Sequence, residues 1–246
     1  MNSTTFFISC SIVLYKSKEG LTGAIKSFLA TSLPVKLYLI DNSPTTELKD
    51  YLSDTLSDPR IAYIFNNRNV GFGAGHNIAI RKAINSSSYH LVLNPDVSFS
   101  PQVLDSLYKY MEENSGVGLV MPKVLYPSGE IQYACKLLPT PADLIFRRFL
   151  PSSFTKKKME HFELRKMGYN KEMEVPYLSG CFMFLRIEAL KKVGLFDELF
   201  FMYPEDIDLT RRVHKEYKTM FYPKVSIVHE HKQGSYKSIK LLYIHV

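Results

Sequence analysis

The chain has 246 residues, 46% of them hydrophobic and 22% charged, which suits one large α/β domain with a substantial core and excludes a disordered or fibrous protein. Its net charge of +7 is uneven: residues 1–135 carry 11 Lys and Arg against 11 Asp and Glu, and the other 20 and 13 lie in residues 136–246. Three widely spaced cysteines without a C-x-x-C pair argue against a disulfide framework or zinc site and for a reducing compartment, and no run of about 18 apolar residues is present to span a bilayer.

The opening residues lack a basic stretch, and the apolar run over 6–14 is short and broken by Ser9, Cys10 and Ser11, so it reads as a first strand and not as a signal peptide. Apolar residues at helical spacing (Leu21, Ala24, Ile25, Phe28, Leu29) predict a helix over 19–30. A second strand is expected over 35–40, ending at the turn-forming Asp41-Asn42-Ser43-Pro44, then a helix over 47–56, a strand over 61–65 and a helix over 76–85. A strand over 89–93 and a helix over 101–113 complete an alternation that predicts a mostly parallel sheet with right-handed crossovers. After Met121 the pattern changes. A hairpin is expected over 123–132 with Pro127-Ser128-Gly129 as its turn, and 140–172 is basic, Pro-punctuated and irregular, with Lys156-Lys157-Lys158 inside it. Beyond it come a strand over 175–186, helices over 187–193 and 204–215, a last strand over 220–228, and an amphipathic helix over 239–246.

In such a sheet, ligands collect beyond the carboxyl ends of the strands, where Asp41, Asn66-Asn67 and Asn94-Pro95-Asp96 fall. A carboxylate there is placed to hold a divalent metal against phosphate, and one Asp suffices because Mg²⁺ takes few protein ligands. Asn-Pro-Asp is equally a good turn sequence. The segment Asn69-Val70-Gly71-Phe72-Gly73-Ala74-Gly75-His76-Asn77 follows a strand and opens a helix; its glycines let backbone approach a phosphate or sugar ring. Its G-x-G-x-G spacing is not the dinucleotide fingerprint, which speaks against a Rossmann-type oxidoreductase. Glu205, Asp206 and Asp208 open a helix after Pro204. Acids there favour the helix dipole, but three crowded carboxylates also raise one another's pKa, which suits a general base. His229, after an apolar strand, is a candidate metal ligand.

Taken together, Ser9-Cys10-Ser11-Ile12-Val13-Leu14-Tyr15, Ile40-Asp41-Asn42-Ser43, the glycine segment, Leu93-Asn94-Pro95-Asp96, Ser179-Gly180 and Glu205-Asp206-Ile207-Asp208-Leu209 occur in the order of a known family. The chain resembles the family 2 glycosyltransferases of the GT-A fold, and within them the rhamnosyltransferase-like branch that builds bacterial surface polysaccharides. The resemblance runs from Ile8 to about Ser238 and implies a Rossmann-like, mostly parallel central sheet flanked by helices, with a smaller acceptor-side C-terminal part. Residues 1–120 would form the nucleotide-sugar-binding half and 121–246 the acceptor-binding and catalytic-base half of a single domain.

The same resemblance implies roles. Ser11, Val13, Tyr15 and Asp41 would frame the nucleotide; Asn69, Gly71, Gly73, Asn77 and Asn94 would line the donor pocket. Asp96, with His229, would bind Mg²⁺ or Mn²⁺ on the donor diphosphate. Asp206 would be the base, oriented by Glu205 and Asp208. Asn94 departs from the first acid of the D-x-D motif, a form common in the rhamnosyl-type branch. Relatives usually continue past the position of Val246 with a basic, aromatic helical tail, so a truncated chain is expected. The expected activity is inverting transfer of L-rhamnose from dTDP-L-rhamnose to a saccharide or polyprenyl-diphosphate-linked acceptor, in the cytoplasm at the inner face of the cell membrane. An anionic membrane surface, and not nucleic acid, would meet the basic C-terminal half. The alternative is a catalytically idle, membrane-associated nucleotide-sugar-binding protein.

Overall fold

A computed structural model of the chain describes residues 6–139 and 152–230, with side chains from 157 onward in the second stretch. The predicted helix over 239–246 and residues 140–151 of the irregular stretch lie outside the described residues.

The strands are β1 (Phe6–Leu14), β2 (Val35–Asp41), β3 (Ile61–Phe65), β4 (Ser87–Leu93), β5 (Val97–Ser98), β6 (Val117–Leu125), β7 (Cys135–Lys136), β8 (Met173–Glu174), β9 (Tyr177–Leu178), β10 (Phe182–Arg186) and β11 (Lys218–His229). A nine-stranded sheet runs β3-β2-β1-β4-β10-β6-β11-β5, with β8 also on β11, while β7 and β9 form a small separate pair. Strands β3, β2, β1, β4, β6 and β11 point the same way, and β10 runs against them between β4 and β6. The sheet is therefore mostly parallel, as the alternation of strands and helices predicts.

Three differences from the sequence reading have local causes. Strand β6 was not expected, because Gly118 and Pro122 interrupt its apolar run; its ladder to β11 shifts register between Tyr222 and Ser226. The helix after the glycine segment, Phe72–Ala83, starts four residues before the predicted His76, since tertiary contacts override the poor helix propensity of Gly73 and Gly75. The strand expected over 175–186 is two, β9 and β10, broken at Ser179-Gly180-Cys181. The predicted turn after β6 is present, with Gly129 N–H donating to the Tyr126 carbonyl at 2.9 Å.

Burial explains the polar residues of β1. Ile8, Cys10, Ile12 and Leu14 are fully buried on one face, and Ser9 and Ser11 are equally buried on the other, so both hydroxyls need partners. They find them in two buried histidines. Ser9 Oγ is 2.8 Å from His90 Nδ1, and Ser11 Oγ bridges His90 Nε2 at 2.8 Å and His76 Nδ1 at 2.7 Å. Burial pushes both imidazoles below their usual range, His90 to about 3, and the neighbouring His90 adds to the lowering of His76.

This chain of hydrogen bonds has a thermodynamic signature. A histidine held neutral in the folded state takes up its proton first in the unfolded state, so its contribution to stability falls as pH drops below the ordinary imidazole value. Below about pH 6.5, His90→Gln should gain on the parent by about 1.4 kcal/mol per pH unit, down to the folded value near 3. Urea unfolding of both proteins at pH 7 and 5 measures that difference; a pH-independent gap would mean the ring titrates alike in the folded and unfolded states. The difference is the readout because Glu205 and Asp206, both raised, tilt the parent's own profile the opposite way.

Candidate active site

Both acidic motifs come to the sheet edge beyond the C-terminal ends of the parallel strands. Asn94 ends β4, its N–H donating to the Cys181 carbonyl at 3.0 Å, and Glu230 N–H donates to the Asp96 carbonyl at 3.1 Å. Strand β5, immediately after Asp96, pairs with the end of β11 and sets His229 opposite Val97. That register brings His229 Nε2 to 3.3 Å from Asp96 Oδ1 and 3.5 Å from Asn94 Nδ2. Nδ1 of the same ring lies 2.6 Å from Gln132 Oε1. Burial alone would lower the His229 pKa, but Asp96 and Cys181 outweigh it and raise it to about 10.

Among the described residues, no three His, Cys, Asp or Glu side chains form a complete metal cage. The residues present nonetheless fit a cation of the Mg²⁺ or Mn²⁺ kind: an oxygen of a partly exposed carboxylate sits beside an imidazole nitrogen. Donor phosphates would supply the remaining ligands, as is usual for Mg²⁺. Beside Asp96 opens a cleft lined by apolar Val13, Phe72 and Leu93 and by polar Ser17, Glu19 and Glu230.

Asp206 lies in the first turn of the helix Pro204–Glu216, which starts from Tyr203 in the left-handed region at φ 87°. Gly180 N–H at 2.8 Å and the Tyr177 hydroxyl at 3.2 Å donate to Oδ2, and Ile207 N–H donates to Oδ1 at 2.8 Å. Burial raises the Asp206 pKa to about 6, held from going higher by Gly180, Lys136, Ile207 and Tyr177. Its neighbour Glu205 is 3% exposed, and its Oε2 has no hydrogen-bond partner among the described residues. Burial, and then the charge of Asp206, push Glu205 to about 8. The adjacent carboxyls are thus split: at neutral pH Asp206 is the anion and Glu205 carries a proton, the pattern that assigns base and acid forms. The ring of Phe72 joins the two parts of the site. It lines the cleft at Asp96, and its edge comes within 3.4 Å of where a Gly180 side chain would begin, beside Asp206 Oδ2.

Several predicted contact residues are placed elsewhere. Ser11 is interior, committed to His76 and His90. Asp41 is fully buried, accepting from Ser43 N–H at 2.8 Å and from the Tyr63 hydroxyl. Asn77 is buried and ties down the loop before the Asp206 helix, bonding both Phe196 backbone groups and Glu198. The glycines give close approach to the chain itself. Gly71, at φ 90°, would put a Cβ 2.4 Å from the Phe201 carbonyl oxygen, and one on Gly73 would lie 2.9 Å from Phe196 Cβ. Asp208 does not orient Asp206: it pairs with Arg211 at 3.2 Å and Arg212 at 2.8 Å, and Arg212 binds the carbonyls of Val193 and Leu195. Tyr15 and Asn69 remain exposed, and Val13 lines the cleft. Tyr177, Gln132 and Phe72 were missed: two stand next to short, two-residue pairings and the third was read only as a spacer between glycines.

Known proteins share this fold. Residues 9–194 match Glycosyl transferase family 2. The low-salt glycan biosynthesis hexosyltransferase Agl10 of Haloferax volcanii is 27% identical over 85% of this chain and 62% of its own length. An N-acetylglucosaminyl-diphospho-decaprenol L-rhamnosyltransferase of Mycobacterium tuberculosis is 26% identical over 84% of this chain and 70% of its own. Against Agl10, the chain therefore spans less than two thirds of the relative's length. Among solved structures, GalNAc-T7 with UDP, GalNAc and Mn²⁺ superposes with a TM-score of 0.68 at 15% identity, over 92% of this chain and 43% of that one. The mannosyltransferase PcManGT of Pyrobaculum calidifontis, in complex with GDP-Man and Mn²⁺, gives 0.63 at 14% identity, over 94% and 59%. These likenesses establish a GT-A-like fold.

Proposed function

The chain belongs to Glycosyl transferase family 2, and from that premise we propose that it moves L-rhamnose from dTDP-L-rhamnose to a saccharide or polyprenyl-diphosphate-linked acceptor, with inversion. The observation that supports this reading is the split carboxyl pair, linked through Phe72 to a cleft that Asp96 lines, with His229 beside Asp96. Asp206 takes the proton of the acceptor hydroxyl. The freed oxygen attacks the anomeric carbon from the face opposite the diphosphate, and the bond from that carbon to the phosphate oxygen breaks. Protonated Glu205 leaves the negative charge of the pair on Asp206 alone. Asp96 and His229 would hold Mg²⁺ or Mn²⁺, which when bound supplies positive charge to the departing diphosphate. The donor sugar is inferred from the relatives' rhamnosyltransferase activity and from apolar lining residues (Val13, Phe72, Leu93) suited to a deoxysugar.

The donor-binding half is assigned to residues 1–120 and the base and acceptor side to 121–246. No described helix is long and apolar enough to cross a membrane. Peripheral contact with an anionic surface is supported by the basic C-terminal half and by Lys157 and Lys158, exposed on the helix Ser152–Phe162.

A thermal-shift panel of nucleoside diphosphate sugars, with and without Mn²⁺, tests the donor. A ligand at a hundred times its Kd adds about 2.7 kcal/mol of stability. The expected result is a shift with dTDP-L-rhamnose that needs Mn²⁺, followed by rhamnose release or transfer. A shift with another sugar nucleotide alone reassigns the donor; binding without turnover on any acceptor favours the idle binding protein.

A further inference from the structure

Gln132 belongs to none of the motifs to which chemistry was assigned, yet it makes one of the shortest side-chain contacts at the site. Its backbone is fixed on both sides: Gln132 N–H donates to the Val124 carbonyl at 2.9 Å, and the Gln132 carbonyl accepts from Ala134 N–H at 2.8 Å. The side chain then spans to His229, placing Oε1 2.6 Å from Nδ1. An amide oxygen can only accept, so Nδ1 carries the hydrogen. When the ring gives up its other hydrogen to bind a cation, the lone pair is then on Nε2, the nitrogen that faces Asp96 Oδ1 at 3.3 Å.

The other end of the amide sharpens the point. Gln132 Nε2 is buried without a hydrogen-bond partner among the described residues. An unsatisfied buried amino group is costly, and an apolar side chain of the same length would avoid that cost. What the amide provides, and an apolar side chain would not, is its oxygen on His229.

We propose that Gln132 is a positioning residue for cation binding: it fixes the ring plane and tautomer of His229 so that Nε2 is presented beside Asp96. This rests on the reading that Asp96 and His229 hold a divalent cation. Partners of this kind, bonded to the far nitrogen of a metal-binding histidine, are worth about 10–100-fold in metal affinity.

The test is titration of Mn²⁺ into the intact protein, followed by the loss of the free-ion electron spin resonance signal. Four proteins are compared: parent, His229→Ala, Gln132→Met and Gln132→Glu. Gln132→Met keeps the length and loses the acceptor, so binding should weaken about 10–100-fold. Gln132→Glu keeps an acceptor oxygen and should restore binding to the parent level or better. A second readout is the long-range ¹H–¹⁵N spectrum of the Mg²⁺-loaded protein. There the hydrogen of the His229 ring should sit on Nδ1 in the parent, and a smaller fraction of rings should show that form in Gln132→Met at the same Mg²⁺ concentration. If His229→Ala loses Mn²⁺ while Gln132→Met binds as the parent does, Gln132 is not a positioning residue. If His229→Ala itself binds as the parent does, the cation reading falls first and takes this proposal with it. If Gln132→Glu fails as badly as Gln132→Met while both stay folded by circular dichroism, the acceptor oxygen is not what matters and the proposal is overturned.

Discussion

Asp206→Asn should depress turnover by about 10²–10⁴-fold, the usual worth of a positioned general base, with donor affinity close to that of the parent. The geometry gives both parts of this expectation. Asp206 contacts Gly180, Tyr177 and Ile207 and stands across the Phe72 ring from the cleft, so its loss leaves the cleft lining intact. Asn keeps the shape but sets an amino group against one N–H donor, Gly180 or Ile207, costing about 1–3 kcal/mol of stability for a buried unmade hydrogen bond. Unfolding midpoints should therefore accompany the kinetics. The parent's pH profile carries an independent check: a base whose pKa lies at about 6 works when ionised, so turnover should fall as pH drops through that value and level off above it. A variant turning over at nearly the parent rate, with the acid limb unchanged, would transfer the role to Glu205.

Asp96→Asn should remove the Mn²⁺ dependence of nucleotide binding, at a loss of about 2–5 kcal/mol, as when one side of a buried charge contact is deleted. The fold should survive. The backbone of the Asn94-Pro95-Asp96 turn is held by Cys181 and Glu230, not by the carboxylate, and the side chain is 26% exposed. Calorimetric titration of dTDP with and without Mn²⁺ measures the effect. Unchanged Mn²⁺ dependence would leave Asp96 as a turn residue and His229 as a histidine whose partner merely happens to be acidic.

The strands and helices that pack through strong periodicity were legible in the sequence. Phe6–Leu14, Ile61–Phe65, Pro101–Glu113 and Ile187–Val193 have the bounds their patterns predict. What periodicity could not supply was the order of strands. Strand β10 is a short apolar run like any other, and only its register against β4 and β6 shows that it sits mid-sheet and antiparallel. The site divides along the same line. Asp96, Asp206 and His229 were visible as residue types at strand and helix ends, where ligand chemistry collects. Ser11, Asp41 and Asn77 stood in motifs of the right type but turned inward, where their polar groups pair with His76 and His90, with Ser43 and Tyr63, and with Phe196 and Glu198, while Gly73 packs against Phe196. Tyr177 and Gln132 left no trace in any window of sequence, since their partners Asp206 and His229 are reached only through tertiary packing.

The place of β10 between β4 and β6 has a consequence for the newborn protein. Asp96 emerges from the ribosome well before β10, Asp206 and His229, an interval on the order of ten seconds at typical elongation rates. For that time β4 has β1 on one side and nothing on the other, so Leu91, Val92 and Leu93 form an open apolar sheet edge able to recruit a strand from another nascent chain. Partial products have no cation pair and no base, and they carry a sticky margin. Messages broken or stalled between the codons for Leu93 and Phe182 should yield aggregates and no active fragment, and cells making this protein fast would depend on holdase chaperones in that window.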